Sequence, residues 1–270
     1  MTPPDLHKNS IGVFDSGFGG LSVMRAIREL LPFENILYFG DTARLPYGAK
    51  SKETILRYSL ESTSFLSMQG IKALVIACNT ASSAALDSIR ESLNIPVIGI
   101  TEQGVEEVLH YLPSSKVGIL GTRATIASGL YQRQLLTRNP TIQLFPTACP
   151  LFVPLAEEGY IDHAITRLIA HEYLDPLRQH NIQGALLGCT HYPLLRSTIQ
   201  QALGPDVLLI DPATACAEKT RQILIEEDLL NPSQDPPHYR FLVSDDPEKF
   251  RLLGPIFLNH PIHHVFLNTF

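Results

Sequence analysis

The sequence predicts an α/β protein of two pseudo-symmetric parallel-sheet lobes with a site in the cleft between them. Three observations carry this. Short apolar runs alternate with longer segments of helical periodicity, the same order of runs returns a little over a hundred residues later, and in both copies the third run ends on a cysteine. The 270 residues, 29.9 kDa, are enough for about two domains at roughly 150 residues each.

In the first half, Ile11–Phe14, Ile36–Phe39, Ala73–Ala77 and Pro96–Ile100 read as buried strands bounded by Gly, Asp, Asn or Pro. Val23, Ile27, Leu30 and Leu31 keep helical spacing after the glycine turn at 17–20, and Ala81–Leu93 reads as a helix that either Asn79 or Thr80 can cap. Strand alternating with helix implies a parallel sheet covered on both faces. Laid over itself at an offset of 106, Ile11-Gly12-Val13-Phe14-Asp15-Ser16 falls on Val117-Gly118-Ile119-Leu120-Gly121-Thr122, and Ile36–Phe39 falls on Ile142–Phe145. At 111, Ile71–Cys78 falls on Ile182–Cys189 and Ile95–Ile100 on Asp206–Asp211. Apolar strands align easily by coincidence; the matched cysteines are what favour a duplication.

Composition narrows the function classes. With 44% apolar and 18% charged residues the chain is globular, neither disordered nor a coiled coil. A net charge of −6 without a Lys/Arg block disfavours a nucleic-acid surface. No stretch reaches the roughly 18 unbroken apolar residues of a membrane span, and the leader up to Ser10 lacks a signal-peptide core, so a cytoplasmic protein is expected. Cys78, Cys149, Cys189 and Cys216 form no C-x-x-C pair, which argues against a zinc or thioredoxin-type site and for free thiols.

Cys78 precedes Asn79-Thr80-Ala81, and Cys189 precedes Thr190-His191-Tyr192-Pro193, small polar residues that would open a helix at a strand's carboxyl end, where parallel sheets collect ligands. A thiol at a helix N-terminus is expected to have its pKa lowered from about 8.5 toward neutrality and so to serve as a base. The exposed N–H groups, with Ser16, Asn79, Thr80, Thr122 and Thr190, offer a donor-rich lining suited to a small acid. Either cysteine alone would more readily be core packing; two in matched positions favour chemistry. Cys149 and Cys216 lack that context and are read as core or supporting residues. His191 is either a proton partner or a satisfied structural histidine, and His260, His263 and His264, without a carboxylate or Cys partner, are read as solvated or packed rather than metal-binding. Asp15-Ser16-Gly17-Phe18-Gly19-Gly20 fails the dinucleotide register, since Ser22 stands where G-x-G-x-x-G needs glycine. Asp15 is read as a carboxylate near the cleft, able to share a proton with a thiol or bind an ammonium, against a plain turn-forming role. Arg44 and Arg123 either clamp a carboxylate or face solvent.

At these residues the chain resembles the cofactor-independent aspartate/glutamate racemase superfamily, in its glutamate branch. The matching stretches are Ile11–Val23, Gly40–Gly48, Ala77–Ser82, Gly121–Thr125, Ala148–Gly159 and Gly188–Pro193, in the family's order over most of the chain. The resemblance implies two α/β lobes, 101–210 forming the second and 1–100 plus 211–270 the first. It implies an isomerase that interconverts L- and D-glutamate without pyridoxal phosphate or metal, supplying D-glutamate for peptidoglycan and thus for cell-wall biogenesis and cell shape. It places Cys78 and Cys189 as the two acid/base thiols, Cys78 working on the D- and Cys189 on the L-enantiomer. Asp15, Glu157 and His191 assist as ionisable groups. Asp15, Ser16, Tyr47, Gly48, Asn79, Thr80, Thr190 and His191 are substrate contacts, and Thr122 and Thr125 face the substrate. A homodimer is also implied.

The two-thiol reading agrees with the chemistry, because inverting Cα needs a base on one face and an acid on the other. Closure of the lobes around the substrate is expected to exclude water. Two rivals remain: racemisation of another acid such as aspartate, although His191 resembles the glutamate branch where the aspartate branch carries Glu, and a two-lobed amino-acid sensor, which leaves the paired thiols unexplained.

Overall fold

A computed structural model describes residues 6–268, leaving residues 1–5 of the leader outside the description. The first repeat contributes β1 (Ile11–Asp15), α1 (Leu21–Leu30), β2 (Ile36–Gly40), α2 (Lys52–Met68), β3 (Ala73–Ile76), α3 (Asn79–Ser92), β4 (Val97–Gly99) and α4 (Ile100–Tyr111). The second contributes β5 (Lys116–Gly121), α5 (Arg123–Ser128), α6 (Leu130–Arg138), β6 (Gln143–Ala148), α7 (Phe152–Glu157), α8 (Ala164–Gln179), β7 (Gly184–Gly188), α9 (Arg196–Leu203) and β8 (Leu208–Ile210). The remainder forms α10 (Ala213–Glu226), β9 (Tyr239–Val243), α11 (Pro247–Leu258) and β10 (Phe266–Leu267).

All strand pairings are parallel and fall into two sheets, β10-β9-β2-β1-β3-β4 and β6-β5-β7-β8. The sequence repeat is therefore structural, since β2-β1-β3-β4 and β6-β5-β7-β8 are the same order. The chain crosses between sheets at β4–α4 and again at β8–α10, and the second crossing returns it to add β9 and β10 beside β2.

Strand alternation sends residues to opposite faces, so each sheet has two cores. In the first sheet Ile11 and Val13 pack toward α1, α10 and α11 with Ile27, Leu224 and Phe250. Phe14, Leu74 and Ile76 pack toward α2 and α3 with Ile55, Leu66 and Ile89. In the second sheet Leu120 and Leu187 meet α8 and α9, and Val117, Ile119 and Leu186 meet α4 and α6. Each fully buried side chain of this size contributes about 1.5–3 kcal/mol by leaving water.

The sheets differ at one edge. β2 is buried throughout because β9 pairs with it, whereas its counterpart β6 is exposed or half-buried at every position. Pro146 sits in β6, and without an N–H it belongs on an edge strand, where it also discourages further pairing. Among the described residues no helix is long and apolar enough to cross a membrane.

Candidate active site

The carboxyl ends of the two sheets face each other around a small cavity of about 30 Å³. Cys78, Ser16, Tyr47, Gly48, Asn79 and Thr80 line it from the first repeat, and Cys189, Thr122, Glu157, Thr190 and His191 from the second. Gly17, Leu45, Pro46 and Val153 complete the wall and were not singled out from sequence. Asp15 and Thr125 lie behind the lining, each reaching it through a neighbour. At its mouth the cavity adjoins a second one of about 260 Å³ walled by Leu151, Pro154 and Arg123, with Arg123 exposed. Arg44 turns away from the cleft: it donates to Asp41 and Glu61 and lies over the Tyr58 ring.

The two cysteines are held differently, which corrects the expectation that both open a helix. Cys78 is itself the N-cap of α3, its Sγ accepting the Ala81 N–H at 3.4 Å, so neither Asn79 nor Thr80 caps the helix. Cys189 is followed by a short 3-10 turn, Tyr192–Leu195, and α9 starts only at Arg196. Pro193 stands in the first turn of this 3-10 segment, where its missing N–H is tolerated.

The expected fall of the thiol pKa also needs correction. Burial, and after it the nearby Asp15 carboxylate, pushes the Cys78 thiol up to about 12, with the Ser16 and Ala81 contacts opposing. One capped N–H does not offset desolvation in a closed cleft. Cys78 Sγ–H donates to Ser16 Oγ at 3.5 Å, consistent with a neutral thiol. Cys189 has a different neighbour: its Sγ lies 3.9 Å from His191 Nδ1, and His191 Nε2 lies 3.0 Å from Glu157 Oε1. Burial opposes charge on His191, but the bonds to Cys189 and Glu157 hold its pKa up at about 10. An imidazolium beside Cys189 is the partner a thiolate needs. The His191 ring also meets the edge of Phe257 at 5.2 Å, and Gly19 lets it approach, since a Cβ there would stand 2.6 Å from Nδ1.

Asp15 takes the turn-forming role and is buried behind the cavity lining. Oδ2 accepts the Gly17 N–H at 2.8 Å as an Asx turn, and Oδ1 accepts Thr190 Oγ1–H at 3.5 Å. Burial pushes its carboxyl up, against the charge of His191 and the N–H groups of Gly17 and Gly20. The remaining polar lining is a store of donors. Thr80, Thr122 and Thr125 close a triangle of hydroxyls at 2.9, 3.1 and 3.0 Å, one from the first repeat and two from the second. Asn79 Nδ2 is buried without a hydrogen-bond partner. An orphaned donor costs about 1–3 kcal/mol unless something fills it, which marks this place for an acceptor such as a carboxylate. Tyr47 contributes its position at the wall, while its hydroxyl donates to Asp41. Gly48 lets the lobes meet, because a Cβ there would stand 2.5 Å from Thr122 Cβ.

Elsewhere, Cys149 and Cys216 are fully buried in the cores of the second and first sheets. His260, His263 and His264 are exposed, and among the described residues no group of three or more His, Cys, Asp or Glu is placed to hold a metal.

Comparison with known proteins shows the family to which the chain belongs. Residues 11–220 match the family described as Asp/Glu/Hydantoin racemase. The glutamate racemase of Syntrophus aciditrophicus (strain SB) is 47% identical over 259 residues, 96% of this chain and 95% of that protein. The glutamate racemase of Neisseria meningitidis serogroup B is 46% identical over 256 residues, 94% of each. Among solved structures, glutamate racemase from Francisella tularensis in complex with D-glutamate superposes with a TM-score of 0.92 at 42% identity, covering 97% of this chain and 98% of that one.

Proposed function

We propose that this chain, which belongs to the Asp/Glu/Hydantoin racemase family, interconverts L- and D-glutamate by passing the Cα proton between two thiols, and so supplies D-glutamate for peptidoglycan. The observation that carries the reading is one thiol from each repeat on the wall of one closed cavity. Inversion requires removal of a proton on one face and delivery on the other, which two facing acid/base groups accomplish without either crossing the substrate.

The surroundings distinguish the two thiols. Cys189, whose Sγ lies 3.9 Å from His191 Nδ1, is the base that takes the Cα proton of L-glutamate. Cys78, held neutral by burial and Asp15, delivers its own proton to the opposite face and yields D-glutamate. The reverse reaction exchanges the roles. A substrate ammonium near Asp15 would offset the carboxylate that holds Cys78 neutral, easing formation of the second thiolate only when substrate is present. Negative charge developing on the α-carboxylate needs preorganised donors, and Asn79 Nδ2 with the Thr80 and Thr122 hydroxyls, backed by Thr125, supplies them. Glutamate enters by separation of the lobes, because ligand pockets ordinarily offer about 300 Å³ or more, and reclosure excludes water.

Proton NMR of L-glutamate with the reduced protein in D₂O, followed by chiral analysis, tests this. Loss of the Cα proton together with D-glutamate supports it; a folded, reduced protein that exchanges aspartate but not glutamate, or neither, overturns it. The resemblance further supports a cytoplasmic homodimer, for which light scattering would read twice the 29.9 kDa chain mass.

A further inference from the structure

Tyr131, on α6, was invisible as a functional residue in the sequence and is buried in the second lobe's core. Its hydroxyl leaves that core and donates to Asn79 Oδ1 at 2.5 Å, the residue after Cys78 in the other repeat. Among the described residues it makes no other hydrogen bond. The ring lies in a slot made by two glycines: a Cβ on Gly104 would stand 3.1 Å from Tyr131 Cε1, and one on Gly188 would stand 3.3 Å from Cε2. Gly188 directly precedes Cys189. One side chain therefore touches the turns that carry both thiols. Burial, with Cys189 and Cys216, pushes the phenol up, so it remains a donor.

A side-chain amide has an oxygen and a nitrogen that can exchange places by rotation of its terminal torsion. A phenol donating to Oδ1 removes that freedom, leaving Nδ2 facing away from Tyr131 as the unpaired donor already noted. We propose that Tyr131 is a positioning residue for the reaction: it pins the Asn79 amide so that its NH₂, never its oxygen, meets the substrate carboxylate, and it does so only while the lobes are closed. The proposal rests on the glutamate-racemising reading above. Without the phenol, a flipped Asn79 would set an oxygen lone pair against a carboxylate, turning a donor into a repulsive contact.

Tyr131→Phe keeps the ring and removes the hydroxyl. The expected result is at least a tenfold loss of kcat/KM for both enantiomers, with the thermal midpoint within a few degrees of the parent. In an Asn79→Ala background the same substitution should have no further effect, because the group it acts through is gone. Losses that simply add, or an unchanged kcat/KM in the single variant, overturn the proposal. The side-chain amide signal of Asn79, identified by its absence in Asn79→Ala, gives a readout independent of turnover: it should shift in ligand-free Tyr131→Phe, and an unmoved signal overturns the pinning. Should Tyr131→Phe fail to fold, the wild-type signal decides, since it must move on addition of glutamate and the proposal falls if it does not. Wild-type turnover in the same assay separates the two ideas: an inactive wild type defeats the glutamate reading, while the ligand-free amide signal still judges the pinning.

Discussion

The two thiol-bearing turns descend from the same strand order yet hold their sulfurs by opposite means. Cys78 caps an α-helix, donates to Ser16 and sits near a carboxylate, which keeps it neutral. Cys189 has no helix behind it and leans on His191, itself backed by Glu157. Backbone symmetry brings one thiol from each repeat to the same cavity, and the side chains that surround them differ. A symmetric pair would start with two thiols or two thiolates, and neither can remove a proton on one side and supply one on the other.

The strongest test of that asymmetry is to remove each sulfur in turn. Cys78→Ser and Cys189→Ser should each lower racemisation by about 10³-fold or more, the scale of general acid–base catalysis. The difference lies in isotope exchange: in D₂O, Cys78→Ser should still wash out the Cα proton of L-glutamate without forming D-glutamate, and Cys189→Ser should not. Equal wash-out would erase the distinction between the half-sites. Next in size, His191→Asn should reduce kcat/KM by about 10²-fold. The loss must be the same for both enantiomers, since they are equal in free energy. The wild-type profile should fall on the alkaline side near pH 10 as His191 loses its proton, and this limb should vanish in the variant. A limb that survives unchanged would assign it to another group.

Gly48→Ala tests the contact between the halves rather than their chemistry. Its Cβ would collide with Thr122, so the cleft is held ajar; about a tenfold loss in kcat/KM is expected, with little change in thermal midpoint because the lobes can part to relieve the clash. A wild-type rate would show that closure at this point is dispensable. The smallest effect is on stability. His191 is raised from 6.5 to about 10 on folding, so protonation favours the folded state; the contribution is complete below pH 6.5 and is lost as pH rises to 10. Over that window the wild type should lose about 10 °C of thermal midpoint relative to His191→Asn. Parallel curves for the two proteins would contradict the raised value.

Much of this was legible in the sequence because strand order and strand-terminal cysteines are local patterns. The alignment of Ile11–Ser16 with Val117–Thr122 pairs β1 with β5, the second strand of each sheet's shared four-strand order. What was not legible depends on groups far apart in the chain. The pKa of Cys78 is decided by burial and by Asp15, 63 positions earlier, and helix position alone pointed the wrong way. The capping error had a nearer cause, since a sulfur acceptor competes with the usual Asn and Thr caps only when burial holds it in place. Tyr131 offered no signal, because a buried tyrosine on an amphipathic helix looks like packing until its hydroxyl is seen to reach Asn79, 52 positions away.

The late return of the chain to the first sheet has a consequence for biosynthesis. The second sheet is assembled from one uninterrupted stretch, β5 to β8, whereas β2 waits for β9, 203 residues further along. On the ribosome the middle of the chain can therefore fold as a unit while the beginning is still one strand short. The first lobe, with its Cys78, matures last, and until it does β2, buried throughout in the finished fold, presents an unpaired edge.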